Sequence, residues 1–256
     1  MTGKLTKSQS KYIKSLQQKK VRDLNKQFVV EGVKLVRDLL NHSGIVDYLV
    51  YTGDNEDYAF AFPERAFHTS PKELAMISSL KTPNKILAVC NQGLPFDSKR
   101  ARVFGQLDFS KSIIALDEIS DPGNLGTILR LADWFGIKQI VCAPGSVDVF
   151  NPKVVQATMG AIFRVNVQTM PLVDLIDSAP SEMKAYLADM EGENLYTAEV
   201  SSPFILVMGS EGHGVSAEIR KLVPSVISIP QFGGGESLNV AVSTGIILSE
   251  FCRKLG

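Results

Sequence analysis

The second half of the chain is punctuated by apolar runs only four or five residues long: Ile113 to Leu116, Gln139 to Ala143, Phe204 to Met208 and Val226 to Ile229. Runs this short, bounded by polar or breaking residues, fit buried strands better than helices. Arg164 to Val167 and Lys184 to Asp189 are two further candidate strands. Between most of them lie helical patterns, at Leu125–Phe135, Lys153–Ile162, Leu172–Ser178 and Ala217–Val223, and a last one at Leu238–Arg253 closes the chain. Strands that are apolar on both faces and separated by helices predict a parallel sheet covered on both sides. Ligands of such sheets bind in the loops beyond the carboxyl ends of the strands.

The first half predicts a smaller α/β unit, with strands at Phe28–Val30, Val46–Tyr51 and Ile86–Cys90 and helices at Val33–Asn41 and Pro71–Ser78. The polar stretch that follows is broken by Gly93, Pro95 and Gly105. The expected division is therefore a domain over 1–95, a linker over 96–111 and a second domain over 112–256. Hydrophobic residues make up 45% of the 256, enough to offset the entropy of folding and to exclude a disordered chain.

The formal net charge is zero, but the charge is unevenly placed. The first forty residues carry ten basic and three acidic side chains, and the rest carry 17 and 24. Lys11, Lys14, Lys19, Lys20 and Arg22 are candidate contacts to a phosphate backbone, a solvated lysine-rich helix face being the plainer reading. Cys90, Cys142 and Cys252 are odd in number and widely spaced, so neither a disulfide framework nor a thiolate zinc site is expected. No secretory signal or bilayer-spanning run is visible, and a reduced, cytoplasmic setting without membrane contact is the expectation.

Three loops carry the unusual chemistry. The first, DPGNLGTILRLADWFG over 121–136, follows a strand; Asn124 can cap the next helix, and Leu125, Ile128, Leu129 and Ala132 fall on one face. At 100° per residue Arg130 stands about 140° from Leu125, off that face, with Asp133 as a plain surface partner. The second loop, VMGSEGHGVS over 207–216, sets Glu211 among Gly209, Gly212 and Gly214, which permit positive φ or close backbone approach. Gly212 to Ala217 also fits a G-x-G-x-x-A dinucleotide fingerprint, although few residues follow it. The third, ISIPQFGGGESLNVAVSTG over 227–245, ends a strand at Pro230 and opens a largely apolar helix near Ser237. Ser237 suits a cap, while Asn239 inside an apolar helix needs hydrogen-bond partners. A phosphate loop and a nucleophile elbow are absent, and only His42, His68 and His213 could act as imidazole bases. A kinase, a serine hydrolase and a His/Cys metalloenzyme are thereby disfavoured, and no metal site is expected.

In this order the loops resemble the three motifs of the SpoU (TrmH) family of RNA ribose 2'-O-methyltransferases, in the SPOUT superfamily. Asn124, Gly126 and Arg130 match N-x-G-x-x-x-R; Gly209, Glu211, Gly212 and Gly214 match G-x-E-G-x-G. Ile229, Pro230, Gly233, Ser237, Leu238, Asn239 and Val240 match I-P-x-x-G-x-x-x-S-L-N-V. The resemblance runs from about residue 112 to the C-terminus. The first unit is similar, through FVVEGVKLVRDLL, to the substrate-binding domain of many members. Gln231 and Phe232 depart from the family, which often has Met and a small residue there, and Gly233–Gly235 is richer in glycine than usual.

The resemblance implies a trefoil-knotted, parallel-sheet α/β methyltransferase domain beside a smaller N-terminal α/β RNA-binding domain, and a homodimer packed partly through the last helix. It implies S-adenosylmethionine as cofactor, held by Leu206, Met208, Gly209, Gly214, Ile229, Pro230, Gly233 and Leu238. It assigns Arg130 to the ribose 2'-hydroxyl and to RNA contact, with Asn124, Glu211, Ser237 and Asn239 shaping the site. The two-domain arrangement is more similar to members acting on ribosomal RNA than to those acting on transfer RNA. A sugar hydroxyl is a poor nucleophile and must be oriented and relieved of its proton. A guanidinium releases its own proton only above about pH 12, so Arg130 is expected either to relay a proton in an unusual setting or to position phosphate and hydroxyl. A nucleotide-cofactor oxidoreductase built on Gly212–Ala217 and a catalytically silent RNA-binding member of the fold are the alternatives.

Overall fold

The computed structural model describes residues 3–42, 45–53, 64–92 and 107–256, so most of the expected linker, residues 96–106, lies outside the described residues. The chain divides into two compact units, one formed by 1–105 with 150–163 and the other by 106–149 with 164–256.

In the first unit, strand β1 (Gly3–Lys4) precedes helices α1 (Lys7–Ser15) and α2 (Lys19–Asn25), strand β2 (Gln27–Glu31) and helix α3 (Val33–His42). Strands β3 (Val46–Tyr51) and β4 (Ala66–His68), helix α4 (Pro71–Ile77) and strand β5 (Ile86–Asn91) follow. Their sheet runs β1-β4-β3-β5-β2, with β5 antiparallel to both β2 and β3. Period-two alternation splits β5 between two cores: Ile86, Ala88 and Cys90 face α3, and Leu87 and Val89 face Ile13 and Leu16 at α1 and Leu74 and Ile77 of α4. Thr6 and Gln9 form a reciprocal capping box at the start of α1.

The second unit begins with β6 (Ile113–Leu116), α5 (Pro122–Trp134) and β7 (Gln139–Cys142). The chain then contributes α6 (Pro152–Ala157) and a 3₁₀ turn (Ala161–Phe163) to the first unit, where Val155 and Phe163 complete the core on the α3 side. The expected domain over 112–256 is thus interrupted at 150–163, and the expected helix Lys153–Ile162 breaks where Met159 and Gly160 take φ of 49° and 95°. Strand β8 (Asn166–Thr169), helix α7 (Leu172–Ser178) and strands β9 (Lys184–Asn194) and β10 (Phe204–Met208) return to the second unit. Helix α8 (Ala217–Leu222), β11 (Ser225–Ser228) and α9 (Val240–Leu255) complete it.

This sheet runs β11-β9-β10-β6-β7-β8, and every pairing in it is parallel, as the apolar runs predict. Leu172 and Leu175 of α7 and Ile219 of α8 pack on the face presenting Ile113, Val141, Ile205 and Val207. On α9, Phe251 sets its ring 4.9 Å from Phe204 and 5.3 Å from Tyr186. A buried ring of this kind is worth about 3–5 kcal/mol against alanine. Strands β6 and β10 are neighbours at the point where the strand order reverses, so the loops that follow them open at the same crevice.

Candidate active site

The loop after β6 is fixed first by a cap. Asp121 is the N-cap of α5, its Oδ1 accepting from the Asn124 N–H at 2.8 Å, and Pro122 occupies the first helical turn. The expectation that Asn124 caps this helix is corrected: with Pro122 at N1 the cap is Asp121, three residues before Asn124. Asn124 thereby keeps its side chain for other work. Its Nδ2 donates to Glu211 Oε1 at 2.8 Å, and its Oδ1 accepts from Asn239 Nδ2 at 2.9 Å.

Asn239 is likewise a cap rather than an interior residue. It stands at the start of α9, with Oδ1 accepting from Ala241 N at 3.0 Å and Val242 N at 3.2 Å. Ser237, expected as the cap, is exposed and makes no hydrogen bond among the described residues. The far end of the relay is Glu211, whose Oε2 accepts from Ser120 Oγ at 3.3 Å and, at 3.5 Å, from Ser120 N. Both amides are oriented without ambiguity, because a carboxylate only accepts and backbone N–H groups only donate. Residues 87 and 115 positions apart in sequence are joined this way, and all three motif loops meet in one chain of hydrogen bonds. Burial would raise the Glu211 pKa, but hydrogen bonds from Asn124, its own backbone N–H and Ser120 hold it below the ordinary carboxylate value.

The second loop is tight. Ser210 N donates to Gly214 O at 2.9 Å and Gly214 N to Ser210 O at 3.0 Å, closing a small hairpin with Glu211 at its tip. A Cβ on Gly209 would lie 2.2 Å from the Gly214 carbonyl carbon, and Gly214 has φ of +66°. Gly212 has open space around its Cβ position and no such φ, so of the three glycines two are demanded by the backbone. Asp117, just past β6 and only 6% exposed, braces both ends of the loop: its N–H donates to Met208 O at 2.9 Å and its Oδ2 accepts from Ser216 N at 2.7 Å. Sequence reasoning missed Asp117 and Ser120, although an acid directly after an all-apolar strand was a usable signal.

In the third loop Gln231 Nε2 donates to Gly233 O at 2.8 Å and Gly235 O at 2.5 Å, so this departure from the family folds the glycine run on itself. Residues 231–239 are all exposed, Phe232 at 96% and Leu238 at 53%. Ile229 and Pro230 are half-buried beside them in sequence, and Gly209 is half-buried after β10. Leu206 and Met208 are 0% and 2% exposed within β10, so their side chains lie in the core. Met208 offers only a carbonyl, already taken by Asp117.

Arg130 is exposed on α5 and has no ion pair or hydrogen bond among the described residues. Its expected neighbour Asp133 is claimed by Lys138 at 2.8 Å and Arg164 at 2.7 Å, which leaves the Arg130 guanidinium open to an anion. Burial of Asp133 works against these contacts, yet its pKa still falls below the ordinary value. Lys11, Lys14, Lys19 and Lys20 are exposed. Arg22 is not: at 2% exposure its Nη1 donates to Leu16 O at 2.9 Å and Gln17 O at 2.8 Å. It closes the C-terminal end of α1, where a cation meets orphan carbonyls, and cannot also grip RNA.

The comparisons agree with this geometry. Residues 111–249 match the model of the SpoU rRNA Methylase family, and residues 7–88 match the MRM3-like substrate binding domain. A 23S rRNA (guanosine(2553)-2'-O)-methyltransferase of Bacillus subtilis is 30% identical over 238 residues, covering 92% of each chain. An AdoMet-bound rRNA methyltransferase from Sinorhizobium meliloti superposes with a TM-score of 0.84 at 31% identity, over 100% of this chain and 98% of its own. A TrmH-family protein from Porphyromonas gingivalis gives 0.84 at 36% identity, over 98% and 99% of the two chains. The fold and the three joined loops define an α/β methyltransferase of the SPOUT kind. The chain belongs to the SpoU rRNA methylase family.

Proposed function

We propose that this protein transfers a methyl group from S-adenosylmethionine to a ribose 2'-hydroxyl of ribosomal RNA. The observation that carries the reading is the relay Ser120–Glu211–Asn124–Asn239, which joins the three motif loops, with the unpaired Arg130 on the same helix as Asn124. The names of the relatives favour ribosomal over transfer RNA. The cofactor, when bound, supplies a methyl on a sulfonium, and the donor set suits it. The exposed apolar Leu238 and the backbone at Gly209, Ile229, Pro230, Gly233 and Gly214 offer a lid and hydrogen-bonding edges for an adenine, and the three loops bring no Lys or Arg but Arg130 against a positive sulfur.

In this reading Arg130 holds the phosphate beside the reactive ribose and polarises the hydroxyl. Asn124 and Glu211 fix the loops that define its place, and Ser237, free of internal partners, contacts substrate. Lys11, Lys14, Lys19 and Lys20 add phosphate contacts. The reading includes the knotted thread implied by the resemblance, a cytoplasmic setting suited to three free thiols, and a homodimer. For the homodimer the support is a groove of about 580 Å³ between α5 and α9, lined by Leu131, Phe135, Val242, Ile246 and Trp134, the last 84% exposed. A patch of this kind marks an interaction surface, and Trp134→Arg should convert a dimer to a monomer in sedimentation.

The deciding experiment is transfer of labelled methyl to total RNA from cells lacking the protein, wild type beside Arg130→Ala. Label in a 2'-O-methylated nucleotide with wild type alone is the expected outcome. Cofactor binding without label in any RNA fraction would favour the silent RNA-binding alternative instead.

A further inference from the structure

A second acidic residue, far in sequence from the loops above, does a different job. Glu31 ends β2 at 5% exposure. Ser78 Oγ donates to its Oε2; Ser79 N and Ser79 Oγ donate to its Oε1 at 2.8 and 2.5 Å. Taking a carboxyl out of water costs several kcal/mol, and an apolar residue of similar size would stabilise a core at least as well. The hydrogen bonds offset that cost by tying one surface segment, Ser78 to Lys85, to the end of β2. Gly32 lies against this segment: a Cβ there would be 3.2 Å from Asn84 Nδ2, and Gly32 N donates to Ile86 O at 2.9 Å. On the other side Gln156 Nε2 of α6 donates to Glu31 O at 2.8 Å.

Four lysines stand within a few residues of the groups tied to this anchor, all within the first unit. Lys81 and Lys85 are on the tied segment, Lys34 is in the first turn of α3, and Lys153 is one turn before Gln156 on α6. All four are exposed, and none of their ammonium groups has a partner among the described residues. The first turn of α3 carries no acid, and Asp38, the next acid along it, is engaged in a contact of its own. Unpaired cations around a buried, hydrogen-bonded carboxyl leave a local excess of positive charge with no acidic partner among the described residues.

We infer that Lys34, Lys81, Lys85 and Lys153, held in place by Glu31, form a preordered shelf that grips the phosphate backbone of the RNA substrate. The inference rests on the methyltransferase reading only for the identity of its partner. Holding the segment in advance removes the ordering cost that a free loop would bear on binding. Contacts to phosphate set affinity and register, not sequence.

The test is binding of a protein-free 23S rRNA transcript across a series of KCl concentrations, with S-adenosylmethionine affinity measured in parallel by calorimetry. Lys34→Ala, Lys81→Ala, Lys85→Ala and Lys153→Ala combined should flatten the plot of log affinity against log salt by about 0.7 per lysine lost, the value for single strands. Cofactor affinity should stay at the wild-type value, and the control Lys111→Ala with Lys221→Ala, which removes lysines outside the shelf, should keep the wild-type slope. Lys81→Glu alone, on an exposed position, gives a second reading independent of the fold of the quadruple variant. A wild-type slope in the shelf variants overturns the shelf while leaving the methyltransferase reading standing. A wild type that binds cofactor but no RNA overturns both.

Discussion

Glu31, at the end of one strand, and Glu211, just past another, both hold a loop, yet they are satisfied in different ways. Glu31 is buried, and its three bonds from two serines are all short. Glu211 is exposed; besides its own backbone N–H it takes one good bond from Asn124 and two long ones, 3.3 and 3.5 Å, from Ser120. A buried acid held by short bonds anchors. An acid with weakly filled lone pairs is still able to answer a ligand, because a carboxylate has about four acceptor sites. The difference separates an acid that fixes a surface segment from one that keeps acceptor capacity at the tip of a loop.

Substitutions at the two junctions should therefore fail differently. The largest effect is expected on the second: Arg130→Ala should lower methyl transfer by about 10²–10⁴-fold, the range of a lost proton-handling or positioning group, with the unfolding midpoint unchanged. Arg130→Lys separates those two roles, since a rate restored at high pH marks a base and a pH-independent loss marks positioning. Next, Asn124→Ala should cost about 10–100-fold in kcat, corresponding to about 1.5–3 kcal/mol for a hydrogen bond to a charged group. Asn239→Ala should add a loss of about 0.5–2 kcal/mol in stability, because it also removes the cap of α9. At the first junction, Glu31→Ala should destabilise by about 1–3 kcal/mol through the serine donors it leaves unpaired, read by urea unfolding, while S-adenosylmethionine affinity holds. Equal effects of Glu31→Ala and Glu211→Ala on cofactor affinity would erase the distinction.

What was legible in the sequence follows the same divide between local and distant causes. Strands β3, β6 and β10 and helix α7 have the limits expected of them, because their apolar runs stop at breakers or polar pairs. Strands β1 and β4, two and three residues long, exist only through their partners and leave no pattern to read. The edge strand β8 lies two residues beyond the expected Arg164–Val167, since Arg164 turns away to Asp133 and the pairing begins at Asn166. Pro122 marked the true cap of α5 all along. The gathering of Asn124, Glu211 and Asn239 was legible only as a motif resemblance, and their bonds were not. Nor did any local pattern show that Val155 and Phe163 fill the core of the first unit: an apolar helix face looks the same whichever sheet it covers.

The smallest effect, and the finest probe of the comparison, is the acid limb of Glu211. Its pKa in the fold lies below the unfolded value, so the group stabilises the native state fully above the unfolded pKa, and that contribution fades as pH falls through the folded one. The unfolding midpoints of wild type and Glu211→Gln should therefore differ near neutrality and converge in acid. Asn124 is the strongest of the contacts that lower the Glu211 pKa, opposing the upward push of burial. Carboxyl NMR of Asn124→Ala should accordingly show Glu211 titrating at higher pH than in wild type. An unmoved titration would mean that the bond between the first and second loops is not made in solution, and the two acids would then differ only in burial.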